Sequence, residues 1–208
     1  MKIKFILTIL LGLISYSTYS QTNSLEQQFK KELQTQNKQV KSIQCQFKQT
    51  REVAVLSNKV NKEGIFYFVQ PTNMLLSFED GDFIKMTKDW FEMKTGKNVT
   101  SKKITSNPML KNLSSIMSAC VLGNFNNIGK GFSIEYKNTN KEWVLTLKPR
   151  SGKVAAKVSH IILSFDKASM TLNLLKMIEK SGDYTAYQFY NKQLNVAIDP
   201  IKFNKTKK

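Results

Sequence analysis

Apolar and polar residues alternate along most of the chain. Ile43, Cys45 and Phe47 take turns with glutamine and lysine in "KSIQCQFKQTREVAVL", a period of two that predicts a strand. "GIFYFVQ", "NMLLSFE" and "DFIKMT" follow, separated by Pro71 and by Asp80-Gly81, so the last two read as a hairpin. "WFEMKTGKNVTSKKI" extends the meander through Gly96. Further on, "FSIEYKN", "EWVLTLKPR", "VSHIILSFD", "LNLLKMIEK" and "DYTAYQFYN" return to the same period, with turns at Lys148-Pro149, Ser151-Gly152 and Ser181-Gly182. Connections this short make the neighbours antiparallel.

Two segments follow a helical period instead. Ser24 opens "SLEQQFKKEL" with Gln27 three residues on, a capping-box start, and Leu25, Phe29 and Leu33 form its apolar stripe. "NPMLKNLSSIMSACVLG" begins with an Asn cap and a proline, ends at Gly123, and sets Met109, Leu113, Ile116, Met117 and Cys120 on one face. One strand breaks the alternation. In "EGIFYFVQP", Phe66 and Phe68 point to one side while Ile65, Tyr67 and Val69 point to the other, so both faces need cover.

A long antiparallel meander must close, stack or be covered. The expected fold is therefore mainly β (α+β), a curved antiparallel sheet forming an open half-barrel with an α-helical lid. Its concave face would collect aromatic and methionine side chains around a hollow for something apolar. A solid core with no hollow fits the same composition.

The first twenty residues, "MKIKFILTILLGLISYSTYS", combine Lys2 and Lys4, an apolar run and a small-residue site before Gln21, which predicts a secretory signal peptide. The apolar run is too short to span a bilayer. Residues 21–208 then form a single expected domain, soluble and exported, with no cysteine near the cleavage site to carry a lipid anchor. The formal charge of +17 suits a solvated surface or peripheral contact with an anionic membrane. Export and the spread of the lysines argue against nucleic acid. Cys45 and Cys120 could pair in an oxidising compartment or remain isolated buried thiols, and spacing does not decide between them.

Enzyme chemistry finds little support. His160, the only histidine, sits inside a strand pattern, and no glycine-rich phosphate loop or metal-ligand spacing is present. No catalytic residue, metal or cofactor is expected.

Several stretches together resemble the LolA family of periplasmic outer-membrane lipoprotein carriers. "QFKQTRE" is similar to its F-x-Q segment, "EGIFYFVQPTNMLL" to its hairpin, and "EDGDFIKM" to the strand that follows. "SNPMLKNLSSIMSACVLGNF" occupies the place of its middle helix, "WVLTLKPRSGKVAAKVSHIILSFDKAS" that of a strand pair, and "AIDPIKFNKT" that of a closing strand. The likeness runs from Leu25 to Thr206 and rests on order and spacing. It implies a half-barrel that carries lipoprotein acyl chains through the periplasm. Its partners would be an inner-membrane lipoprotein-releasing transporter and an outer-membrane acceptor, with a monomeric carrier between them. Other cargo on the same fold, a free lipid or a polyene-type pigment precursor, remains an alternative, as does a periplasmic lipoprotein sensor.

Strand parity combined with this resemblance places Phe66, Phe68, Gln70, Met74, Leu76, Phe78, Ile84 and Met86 on the cavity wall. The lid residues are Leu25, Phe29, Leu33, Met109, Leu113, Ile116 and Met117. Gln70 stands where the family has an arginine that latches the lid.

Overall fold

The computed structural model describes residues 24–56, 58–106, 108–122, 125 and 128–206. The predicted signal segment lies outside them, as do Asn107, Gly123 and the side chains of Met109 and Leu113. A helix over residues 24–37, α1, leads into β1 (Ser42–Val53). Then come β2 (Asn58–Val69), β3 (Asn73–Phe78), β4 (Phe83–Met86), β5 (Trp90–Thr95) and β6 (Asn98–Lys103). Helix α2 (Pro108–Leu122) separates this meander from β7 (Phe132–Asn138) and β8 (Glu142–Pro149). A short helix, α3 (Gly152–Lys157), precedes β9 (Val158–Asp166), β10 (Leu172–Glu179) and β11 (Tyr184–Leu194).

All eleven strands belong to one sheet in the order β6-β5-β4-β3-β2-β1-β11-β10-β9-β8-β7, antiparallel at every junction. The edges β6 and β7 are not joined to each other, so the sheet is open. The mainly β, half-barrel expectation holds. Register aligns the alternating apolar residues of successive strands. Phe91 faces Met86, Met86 faces Met74, Met74 faces Phe68, and Phe68 faces Ile43. On the other half Phe189 faces Phe47, Leu175 faces Tyr187, Leu163 faces Leu175, and Leu145 faces Leu163. One inner face thus crosses the whole sheet, and most of the buried side chains sit on it.

Gly64 shows how close the strands run. A Cβ there would meet Ser77 O at 2.1 Å, so only glycine fits opposite Phe78. The Phe47 and Phe78 rings, 5.1 Å apart edge to face, lie on the same face beside it.

The outer face of the N-terminal hairpin has its own cover. After β11 the chain does not form the expected closing strand. It runs as a strap, anchored by Asn195 Oδ1, which accepts from Lys41 N, and by Val196 O, which accepts from Ser42 Oγ. A 3-10 turn at Pro200–Phe203 buries Phe203. The Lys202 ammonium sits 4.6 Å from the Tyr67 ring, and Lys205 lies 3.8 Å from Trp90. Lys85 donates to the Asn204 carbonyl, and Thr206 N donates to the Glu92 carboxylate. Beneath the strap Lys85 and Glu92 form a buried ion pair at 2.8 Å. The second greasy face of "IFYFV" therefore lies partly under the C-terminal segment, although Ile65 stays 38% exposed. Asp199 caps the 3-10 turn by accepting from Ile201 N, and Pro200 removes a strand donor. Those two residues explain why a strand does not form there.

Candidate functional site

The inner face is filled unevenly. Under α1, Phe29 is wholly buried with its ring 5.2–5.7 Å from those of Phe125, Tyr136, Trp143 and Phe165. Trp143 also donates its indole N–H to Glu32 Oε2 at 2.8 Å, tying α1 down onto β8. Leu33 is equally buried and Leu25 packs at the margin of the core. The first helix closes this end as part of the core.

Toward β2–β5 the packing opens. A cavity of about 70 Å³ is lined by Phe66, Met74, Leu76, Ile84 and Met86 from one half of the sheet and Leu175, Tyr187 and Phe189 from the other. Met117 of α2 roofs it. Next to it, sharing Ile84, Leu175 and Tyr187, is a groove of about 490 Å³. Phe78, Phe91, Met93, Ile161 and Met177 are among its walls, with Ile116 of α2 and Val154 of α3 above. That volume lies in the range of about 300–1,000 Å³ typical of small-molecule sites. On the far side, sharing Phe66, Met117 and Phe189, lies a smaller cavity of about 30 Å³ with Cys45, Cys120 and Lys192 in its wall. The three spaces adjoin one another through shared wall residues and make up a largely apolar tract along the concave face.

Polar groups in the tract are few and mostly satisfied. The Tyr187 hydroxyl accepts from Gln49 Nε2 at 2.7 Å, and burial pushes its pKa above the usual phenol value. Cys45 and Cys120 are free thiols. Burial pushes the Cys45 thiol up to about 12 and raises that of Cys120 as well, so neither carries a reactive thiolate at neutral pH. At the groove mouth, Lys62 bridges Asp80 and Asp82 at 2.7 Å each, and exposed Arg51 lines the rim. Among the described residues no group of histidine, cysteine or acidic side chains could hold a metal.

The family profile of outer membrane lipoprotein carrier protein LolA matches residues 38–206. The chain belongs to the LolA family. No curated protein matches the chain. Among solved structures, the chain is similar to a domain described as a candidate outer membrane lipoprotein-sorting protein from Vibrio parahaemolyticus. It is 12% identical, with a TM-score of 0.47, and the match covers 85% of this chain and 95% of that one. A LolA superfamily protein from Nitrosomonas europaea matches at 10% identity and a TM-score of 0.42, covering 84% and 97%. The Mycobacterium tuberculosis lipoprotein LppX matches at 10% identity and a TM-score of 0.42, covering 85% and 98%.

Within this LolA-family sheet, Phe66, Met74, Leu76, Ile84 and Met86 meet around one cavity, and Phe78 and Ile84 join in the groove. Phe68 shares their face but is fully buried in the packed core. Gln70 lines neither the cavity nor the groove. The strand ends at Val69, and Gln70 leads into the cis-Pro71 turn, where its Nε2 donates to the carbonyl of buried Val40 and its N–H to Lys41 O. Its bonds hold the segment between α1 and β1. Of the lid residues, Met117 and Ile116 reach the tract, whereas Phe29 and Leu33 belong to the packed end.

Reading the hairpin alone misses the opposite wall. Leu175, Met177, Tyr187 and Phe189 come from β10 and β11. The same two-residue period runs through "LNLLKMIE" and "TAYQFY" and carries the signal for them. Lys192 carries no such signal, since parity from Phe189 would turn Asn191 inward in its place.

Proposed function

We propose that this protein is a periplasmic carrier. It shields lipoprotein acyl chains in its concave tract and passes them from an inner-membrane releasing transporter to an outer-membrane acceptor. The observation that carries this reading is the largely apolar tract in which the 70 Å³ cavity adjoins the 490 Å³ groove across Ile84, Leu175 and Tyr187. Transport of this kind needs no catalysis. It needs a dry wall that deforms and releases. Burial contributes about 0.8 kcal/mol per methylene, so eight methylenes from one chain supply about 6 kcal/mol, which holds a guest without trapping it. Among the described residues, five methionines line the tract (Met74, Met86, Met93, Met117 and Met177), and their unbranched side chains reshape around an irregular guest. Among the described residues no helix is long and apolar enough to cross a membrane.

Mass spectrometry of material co-purifying with the native protein tests the reading. Triacylated lipoprotein is the expected find, and a regulatory partner protein without any acylated species would contradict it. Leu76→Glu puts a carboxylate into the cavity wall. Loading should be lost while the circular dichroism spectrum is retained. Unchanged loading would remove Leu76 from the cargo path.

A further inference from the structure

The inner end of the tract contains a feature that hydrocarbon shielding does not require. Between β1 and β11 the register slips: Gln44 pairs with Gln193, but Gln46 pairs with Tyr190, so Asn191 and Lys192 together oppose Cys45. This is a β-bulge. Asn191 takes up the extra residue with φ of 52°, a left-handed conformation that asparagine tolerates, and its side chain stays outside, donating to Gln46 Oε1 at 2.6 Å. The bulge reverses parity, so Lys192 turns inward and is half-buried in the wall of the 30 Å³ cavity beside Cys45 and Phe66.

The Lys192 side chain lines this cavity, and its ammonium donates to the neutral Asn173 Oδ1. No carboxylate of the described residues lines this cavity. Asp166 is near enough to attract Lys192, but its Oδ1 is engaged by the backbone N–H and hydroxyl of Ser169. Burial draws the Lys192 pKa below the usual lysine value, as expected for a cation short of counter-charge. Thr171 and Asn37 are the other polar side chains in the same wall. An ammonium at the end of an apolar tract matches a ligand with one anionic group at the end of a hydrocarbon chain.

We infer that Lys192 anchors the carboxylate of a long-chain fatty acid whose tail lies along the two cavities and into the groove. Arg51 at the groove rim lies six steps along β1 from Cys45, beside Lys192, a span of about 20 Å at strand rise, which suits an extended acyl chain. The inference rests on the same tract as the carrier reading but concerns the head group, which acyl chains of a lipoprotein do not supply as a free carboxylate.

Isothermal titration of delipidated protein with dodecanoate and with dodecan-1-ol separates head from tail. Dodecanoate should bind at least about ten-fold more tightly than the alcohol. Lys192→Met should erase that preference while leaving alcohol binding within two- to three-fold of wild type, and Arg51→Met should keep the preference. Equal affinity of wild type for the two ligands would overturn the inference while leaving the carrier reading intact. So would a preference that survives Lys192→Met, or one lost only in Arg51→Met, which would put the head at the mouth. If neither ligand binds, the tract reading and the anchor fall together. The wild-type comparison decides the matter even if Lys192→Met fails to fold.

Discussion

The two ends of the concave face belong to one sheet and follow the same alternation, yet one is full and the other hollow. At the β7–β9 end, the rings of Phe29, Phe125, Trp143 and Phe165 interlock edge to face, and α1 is pinned over them by the Trp143–Glu32 hydrogen bond. At the β2–β5 end, methionine, leucine and isoleucine line the hollow alongside Phe66, Phe78, Phe91 and Tyr187, and α2 contributes Leu110, Ile116, Met117, Cys120 and Val121 to its walls. Flat rigid rings fill a layer when they can tilt against one another. Flexible thioethers tolerate a void and can close it or line it as a guest requires. The hollow end of this molecule is set apart by the methionines among its rings, so side-chain flexibility rather than hydrophobicity distinguishes it from the packed end.

That contrast can be broken by substitution. Phe29→Ala should produce the largest loss, about 3–5 kcal/mol in urea unfolding, because four ring contacts vanish from a site that cannot collapse. A loss under 1 kcal/mol would show that the α1 end is no better packed than the α2 end. A matched pair sharpens the point. Leu145→Phe, at a fully buried position in the packed half, should destabilise by about 1–3 kcal/mol. Leu76→Phe should change stability by less than about 1 kcal/mol, because the added ring has the 70 Å³ cavity to enter, and it should reduce cargo loading. Equal destabilisation of the two would mean the cavity wall is rigid.

The strand order and the inward set at the N-terminal hairpin were legible because an unbroken period of two fixes which side each residue takes. Legibility failed where the period was interrupted. Lys192 lies just after a bulge, so simple counting misplaces it, and Gln70 lies one residue beyond the strand end, where counting alone gives no partner. The six-residue helix α3 reads as a turn at Ser151-Gly152, since a segment that short shows barely two turns of periodicity and takes its stability from Val154 packing inward. "AIDPIKF" has strand-like residues, but the Asp199 cap and Pro200 divert it across the outer face. The hollow itself has no signature in the sequence. Void volume depends on how rings and aliphatic chains from strands more than a hundred residues apart happen to meet.

A smaller effect tests the join between the two regions. Gln70→Ala removes the side-chain bond to the Val40 carbonyl and should lower stability by about 1 kcal/mol, read by thermal unfolding, without altering loading. A large drop in loading would give Gln70 a latching role beyond this single bond.

The contrast between the two ends is most directly tested by methionine-methyl NMR during titration of the protein with a triacylated lipopeptide. Met74, Met86 and Met117 line the hollow, while Met170 is buried under α1 beside Glu32 and Lys167 and serves as the internal control. The methyl signals of the first three should shift together and saturate with the lipopeptide, with Met170 unmoved. Saturable binding that shifts Met170, or that leaves Met74, Met86 and Met117 in place, would show that the concave hollow is not where the cargo goes.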